Sequence, residues 1–81
     1  ESAAPPSGQV FDVVVANIYS DTLVALAEPL AACVGPAGTL VLSGIESSRS
    51  AEVERAYLAR GLRRENVRTR GEWAALVFRR S

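Results

Sequence analysis

A chain of eighty-one residues allows one small domain, which buries roughly 60–65% of its extended surface. A single cysteine excludes an internal disulfide, the lack of histidine removes the commonest base and metal ligand, and no run reaches the ~18 apolar residues of a membrane span. Net charge is zero but divided: residues 1–48 carry five acids and no base, residues 49–81 nine arginines and four acids, so the halves stand at −5 and +5.

Residues 1–9 contain Pro5-Pro6-Ser7-Gly8 and read as a flexible tail or a cut end, with residues 10–81 as the folded part. They show no leader sequence, which with the lone cysteine makes the cytoplasm the expected compartment. Val10 to Ala16 reads as the first strand. Its run Val13-Val14-Val15-Ala16 is apolar without alternation, which predicts burial on both faces. Asn17 to Ser20 is the turn out of it, with Ser20 or Asp21 as helix cap. Leu23, Leu26, Ala27, Leu30 and Val34 recur at helical spacing, interrupted by Pro29. A kink or two short helices follow, with Pro29 in the first turn of the second and Cys33 as a small buried residue.

Gly35-Pro36-Ala37-Gly38 predicts a tight turn before a second strand, Thr39 to Ser43, which Gly44 ends sharply. Strand, helix, strand with a crossover of about twenty residues predicts a right-handed parallel βαβ unit. Ser47 to Ser50 offer cap oxygens to a helix whose apolar face is Val53, Ala56 and Tyr57, with Gly61 as its left-handed stop. Leu62 to Thr69 and Trp73 to Phe78 are strands joined at Arg70-Gly71-Glu72, too short a link for anything but antiparallel neighbours. A hydrophobic content of 48% and a mean hydropathy of +0.12 indicate more apolar surface than so short a chain covers by itself. The charge division reads either as two solvated faces or as a basic edge for an acidic or nucleic-acid partner.

Three features bear on chemistry. Asn17 ends the first strand, where ligands bind in open α/β sheets. Its carboxamide can hold and orient an amine but is no useful base; it equally fits a turn residue that satisfies local backbone. Ser43-Gly44-Ile45 ends the second strand, so the two ends would share one cleft if the strands are neighbours. Gly35 to Gly38 precedes a strand, so it is no phosphate loop. Without histidine there is no Ser-His-Asp arrangement, and no metal-ligand cluster is present.

Residues 11–18 (Phe-Asp-Val-Val-Val-Ala-Asn-Ile), 34–45 (Val-Gly-Pro-Ala-Gly-Thr-Leu-Val-Leu-Ser-Gly-Ile) and 70–73 (Arg-Gly-Glu-Trp) resemble the C-terminal half of a class I S-adenosylmethionine-dependent methyltransferase. Within that superfamily the chain is most similar to the ribosomal protein L11 methyltransferases, over residues 10 to 80. The resemblance implies an α/β, Rossmann-like sheet of seven strands, of which this chain supplies the last four. Residues 10–16 would be the fourth strand and 39–43 the fifth, with the antiparallel pair 62–69 and 73–78 placing the last strand next to the fifth. It implies Asn17 as the catalytic residue facing the transferred methyl and the acceptor amine. It also implies Ala16, Asn17 and Ile18 as cofactor contacts, and Asn17, Ser43 and Gly44 as substrate contacts. The implied cofactor is S-adenosylmethionine and the implied partner a ribosomal protein, with no membrane and no direct nucleic-acid contact.

The family's glycine-rich cofactor loop, its ribose-binding acid and its N-terminal recognition domain have no counterpart in these residues, and Ala37 stands where a glycine is common. The expectation is therefore a fragment that binds S-adenosylmethionine poorly by itself and self-associates through the open edge of its first strand. A non-catalytic α/β remnant or binding module, and a methyltransferase for another acceptor, stay open beside the L11 reading.

Overall fold

A computed structural model describes residues 10–80; the tail reading of residues 1–9 lies outside them. The predicted order of elements holds. Strand β1 is Phe11–Asn17, helices α1 and α2 are Ser20–Ala25 and Ala27–Ala32, and β2 is Val34–Glu46. A 3-10 turn (Ser47–Arg49) leads into helix α3 (Ser50–Leu58), followed by β3 (Leu62–Arg70) and β4 (Trp73–Arg80). The sheet order is β1-β2-β4-β3. β1 runs parallel to β2, and β4 is antiparallel to both β2 and β3. The last strand therefore enters between the second and third, as expected.

The breakers explain the boundaries. Pro29 is the third residue of α2, inside the first turn, where its missing N–H leaves no helical bond unmade. Gly61 carries φ 84° after α3, and Gly71 carries φ 59° in the β3–β4 hairpin, at the first central position of a two-residue turn. Neither predicted capping set caps a helix. Tyr19 precedes α1 with no side-chain cap bond. The Ser50 hydroxyl donates to the Ser47 carbonyl at 3.0 Å instead of accepting from a helix N–H.

The tight turn at Gly35 to Gly38 is corrected: these residues lie inside β2, which is far longer than Thr39 to Ser43. Phe11 pairs with Val34 and Val13 with Thr39, so Asp12 alone faces residues 35–38, which loop out of the ladder. Pairing on both sides keeps the strand continuous. The Phe11 N–H donates to the Cys33 carbonyl at 2.7 Å, and the Arg79 guanidinium to the Ala37 carbonyl at 3.1 Å.

All three helices cover one face of the sheet. Leu40, Leu42 and Ile45 of β2 and Ala74, Leu76 and Phe78 of β4 meet Leu23, Leu30, Val53 and Tyr57 in a single core. The Tyr57 hydroxyl donates to the Leu23 carbonyl at 2.7 Å, tying α3 to α1, and its ring stacks on Phe78 at 5.7 Å. At the far end the Arg80 guanidinium donates to the carbonyls of Ala31 and Val34, closing the C-terminal end of α2. The two-sided burial expected of β1 is corrected as well. Val14 and Ala16 pack on the core, whereas Val13 and Val15 are 62% and 66% exposed, because among the described residues no element lies over that face. Among the described residues no helix is long and apolar enough to cross a membrane.

Candidate active site

The carboxyl ends of β1 and β2 come together because the two strands are parallel neighbours in register. Asn17 pairs with Ser43, the last such pair in the ladder. Gly44 follows with φ 78°, a left-handed conformation that a side chain disfavours. A Cβ on Gly44 would stand 2.5 Å from Asn17 Oδ1 and 3.4 Å from the Ile18 carbonyl oxygen. The carboxamide thus lies directly over the Gly44 backbone, with no room for a methyl group between them. Asn17 is the last residue of β1 and not a turn residue, and it is exposed. The structure therefore sets Asn17, Ser43 and Gly44 side by side at the strand ends; Ser43 and Gly44 line a hollow there, and Asn17 is not among its lining residues.

Ala16 and Ile18 behave differently. Their side chains pack against the core, so what they present at the strand end is backbone.

Two hollows flank this junction, and Gly44 and Trp73 line both. The larger, about 560 Å³, is bounded by Ser43, Gly44, Arg68, Thr69, Arg70, Trp73, Ala74 and Ala75. Among the described residues neither Arg68 nor Arg70 has an ion-pair partner. The smaller, about 190 Å³, is bounded by Tyr19, Ser20, Asp21, Gly44, Glu46, Arg49 and Trp73. Arg49 lies 2.7 Å from Asp21 and 2.8 Å from Glu52. Hydrogen bonds to Glu52 and then Asp21 hold its guanidinium above its usual pKa, and Arg49 in turn lowers the Glu52 carboxyl. Glu46 and Arg68 are not distinguishable in the sequence, and Tyr19 and Arg70 only through the strand-end and Arg-Gly-Glu-Trp stretches that hold them.

Cys33 stays out of the chemistry. It is buried, its thiol donates to the Leu30 carbonyl at 3.0 Å, and burial pushes its pKa up. Among the described residues no three carboxylates or thiols converge as a metal site would require.

What the junction can do chemically is limited and specific. An exposed carboxamide beside a hydroxyl and open backbone can bind and orient an N–H group. No residue there acts as a strong base.

The family model for ribosomal protein L11 methyltransferase (PrmA) matches residues 2–81. The ribosomal protein L11 methyltransferase of Chloroflexus aurantiacus is 44% identical over 70 residues, covering 86% of this chain and 21% of that protein. The crystal structure of ribosomal protein L11 methylase from Lactobacillus delbrueckii subsp. bulgaricus superposes with a TM-score of 0.83 at 25% identity, over 93% of this chain and 40% of that one. The M1.HpyAVI–SAM complex shares the fold alone, with a TM-score of 0.74 at 12% identity, over 90% of this chain and 46% of that one. The chain spans about a fifth of the length of the curated relatives it matches.

Proposed function

Because the chain belongs to the ribosomal protein L11 methyltransferase family, we propose that it forms the acceptor-facing end of an S-adenosylmethionine-dependent protein N-methyltransferase acting on amino groups of that ribosomal protein. The observation that carries this reading is Asn17, exposed at the carboxyl end of β1 and fitted against the Cβ-free Gly44.

Asn17 Oδ1 accepts a hydrogen bond from the acceptor N–H and so directs the nitrogen lone pair. Ser43, beside it in register, supplies a second polar contact, and Gly44 leaves backbone open to the incoming group. The carboxamide positions the amine and takes no proton; a neutral amine is the form it serves. Holding a nucleophile in line removes orientational freedom before the reaction, and its loss is worth on the order of 100-fold in rate.

S-adenosylmethionine, when bound, supplies an electrophilic methyl group. The described residues fit only the reacting end of that cofactor: Asn17 with the backbone of Ala16 and Ile18. Among them no strand ends in a glycine-rich loop, and the one acid on β1, Asp12, lies at the opposite end of the strand from Asn17. We therefore assign residues 10–81 to the C-terminal half of a methyltransferase domain, completed by strands that carry the adenosine and ribose contacts.

In an enzyme of full family length carrying this segment, Asn17→Ala lowers kcat about 100-fold while S-adenosylmethionine affinity stays within about twofold. Unchanged turnover would remove Asn17 from the mechanism.

A further inference from the structure

The smaller hollow beside Gly44 has a character that methyl positioning does not account for. Its walls include two exposed aromatic residues, Tyr19 and Trp73, which are 79% and 52% exposed. Among the described residues neither ring packs into the core. Glu46, also in the wall, has no ion-pair partner among the described residues. The only cation in the wall, Arg49, is already engaged by Asp21 and Glu52. The ionisable wall residues Asp21, Glu46 and Arg49 therefore sum to −1. The lining also includes Ser20, 6% exposed, whose hydroxyl is the one buried side-chain polar atom among the described residues with no hydrogen-bond partner. A buried hydroxyl without a protein partner, in the lining of a hollow, is free to bond a polar group that enters it.

Carboxylate, aromatic rings and an unsatisfied hydroxyl form the recognition set of an ammonium ion. A ring quadrupole attracts a cation, a carboxylate balances its charge, and a hydroxyl oxygen accepts its N–H. We propose that this hollow seats a primary alkylammonium group of the acceptor protein, held by Glu46 between Tyr19 and Trp73. The inference rests on the amine-acceptor reading above and adds to it a residue set for substrate recognition. The charged group so held is distinct from the attacking amine, which needs a free lone pair. The seat thus selects cationic acceptor segments and delivers them next to Asn17 across the Gly44 backbone.

Trp73 is the only tryptophan in the chain, so its fluorescence reports on the seat directly. The full chain is titrated with N-acetyl-lysine amide, with alaninamide as a mimic of a terminal ammonium, and with N-acetyl-norleucine amide as the uncharged control. A saturable change with a cationic probe and none with the control is expected. Glu46→Gln should weaken binding about fivefold, as a partly exposed charge pair does, and Tyr19→Leu about threefold. Preference for the lysine probe assigns the seat to side-chain ammonium groups; preference for alaninamide assigns it to a chain terminus. An equal response to the norleucine control, or undiminished affinity in Glu46→Gln of native circular dichroism, overturns the proposal. The readout needs neither cofactor nor turnover. Ammonium binding with turnover insensitive to Asn17→Ala would sink the methyl-transfer reading alone; the reverse result would sink the seat alone.

Discussion

The junction of Asn17 and Gly44 is a steric pair as much as a chemical one. Gly44 has φ 78°, and a Cβ there would lie 2.5 Å from Asn17 Oδ1. Gly44→Ala therefore meets two separate penalties. The left-handed backbone costs a non-glycine residue about 1–2 kcal/mol, and displacing the carboxamide adds about 1 kcal/mol of coupling between neighbours. The two parts are separable. In an Asn17→Ala background the clash is gone and only the backbone part remains, so the double-mutant cycle should show about 1 kcal/mol of coupling by urea denaturation. Additive effects of the two substitutions would mean that the carboxamide does not rest on Gly44 in solution. Ala37 is the converse case. It holds φ 60° without being glycine, and Arg79 fixes its carbonyl at 3.1 Å. Ala37→Gly is expected to stabilise the chain by about 0.5–1 kcal/mol, because the relief of strain exceeds the added freedom of the unfolded chain; a loss of stability would count against the looped-out geometry of residues 35–38.

At the level of elements, α3 is joined to α1 by one bond. The Tyr57 hydroxyl donates to the Leu23 carbonyl at 2.7 Å, and Tyr57 and Leu23 are both fully buried. Tyr57→Phe keeps the stacking on Phe78 but leaves that carbonyl unsatisfied, at an expected cost of about 1–3 kcal/mol. Burial also raises the Tyr57 pKa. The folded state then holds its phenolic proton where the unfolded chain releases it near pH 10, so this contribution is complete below pH ~10 and declines as pH rises beyond it. Denaturation midpoints across that range should fall more steeply for the parent than for Tyr57→Phe; parallel curves would contradict the assignment. Helical spacing and short runs of apolar and β-branched residues made the α-helices and strands legible in the sequence, and Pro29, Gly61 and Gly71 marked their breaks. Three features were not legible, each for a physical reason. The Gly35-Pro36-Ala37-Gly38 run has turn chemistry, but the sheet continues on both sides of it, which only pairing with β1 reveals. The serines before α1 and α3 can cap in principle, but the Ser20 hydroxyl is buried and that of Ser50 bonds backward. Unbroken apolarity in β1 matches two covered faces, and local sequence does not say where the second cover comes from. In the site, the Asn17–Ser43–Gly44 meeting followed from strand order, whereas Arg68 and Arg70 reach one hollow only through the β3–β4 and β2–β4 pairings, and Tyr19 and Glu46 the other through the β2–β4 pairing and the α1 approach.

Over the described residues the sheet is covered on one side only, and the composition follows from that. Val15, Val41 and Val77 lie in register across three strands on the face without helices, and Val13 and Val15 are more than half exposed. This is the apolar excess expected from the 48% hydrophobic content. On the proposed reading only a few residues of this chain serve the reacting end of the cofactor, so isothermal titration should find weak binding or none for S-adenosylmethionine on this chain; a micromolar constant would overturn the reading of residues 10–81 as half a domain. The two sheet edges differ in how they are guarded. β3 carries Arg63, Arg64, Arg68 and Arg70 along its open side, a charge density that opposes strand addition. β1, at the other edge, carries a single charge, Asp12, among Phe11 and three valines. Association is therefore directed to β1 and the valine face next to it, where another copy or the remainder of a methyltransferase domain can pair and bury apolar surface. Sedimentation velocity at rising concentration should show reversible self-association, reduced by Val15→Lys. Because that position is 66% exposed, the substitution leaves the core intact, and its effect on association separates from any effect on folding. A chain that stays monomeric at millimolar concentration would mean that the valine face is tolerated in water and that the edge of β1 is protected by something other than charge.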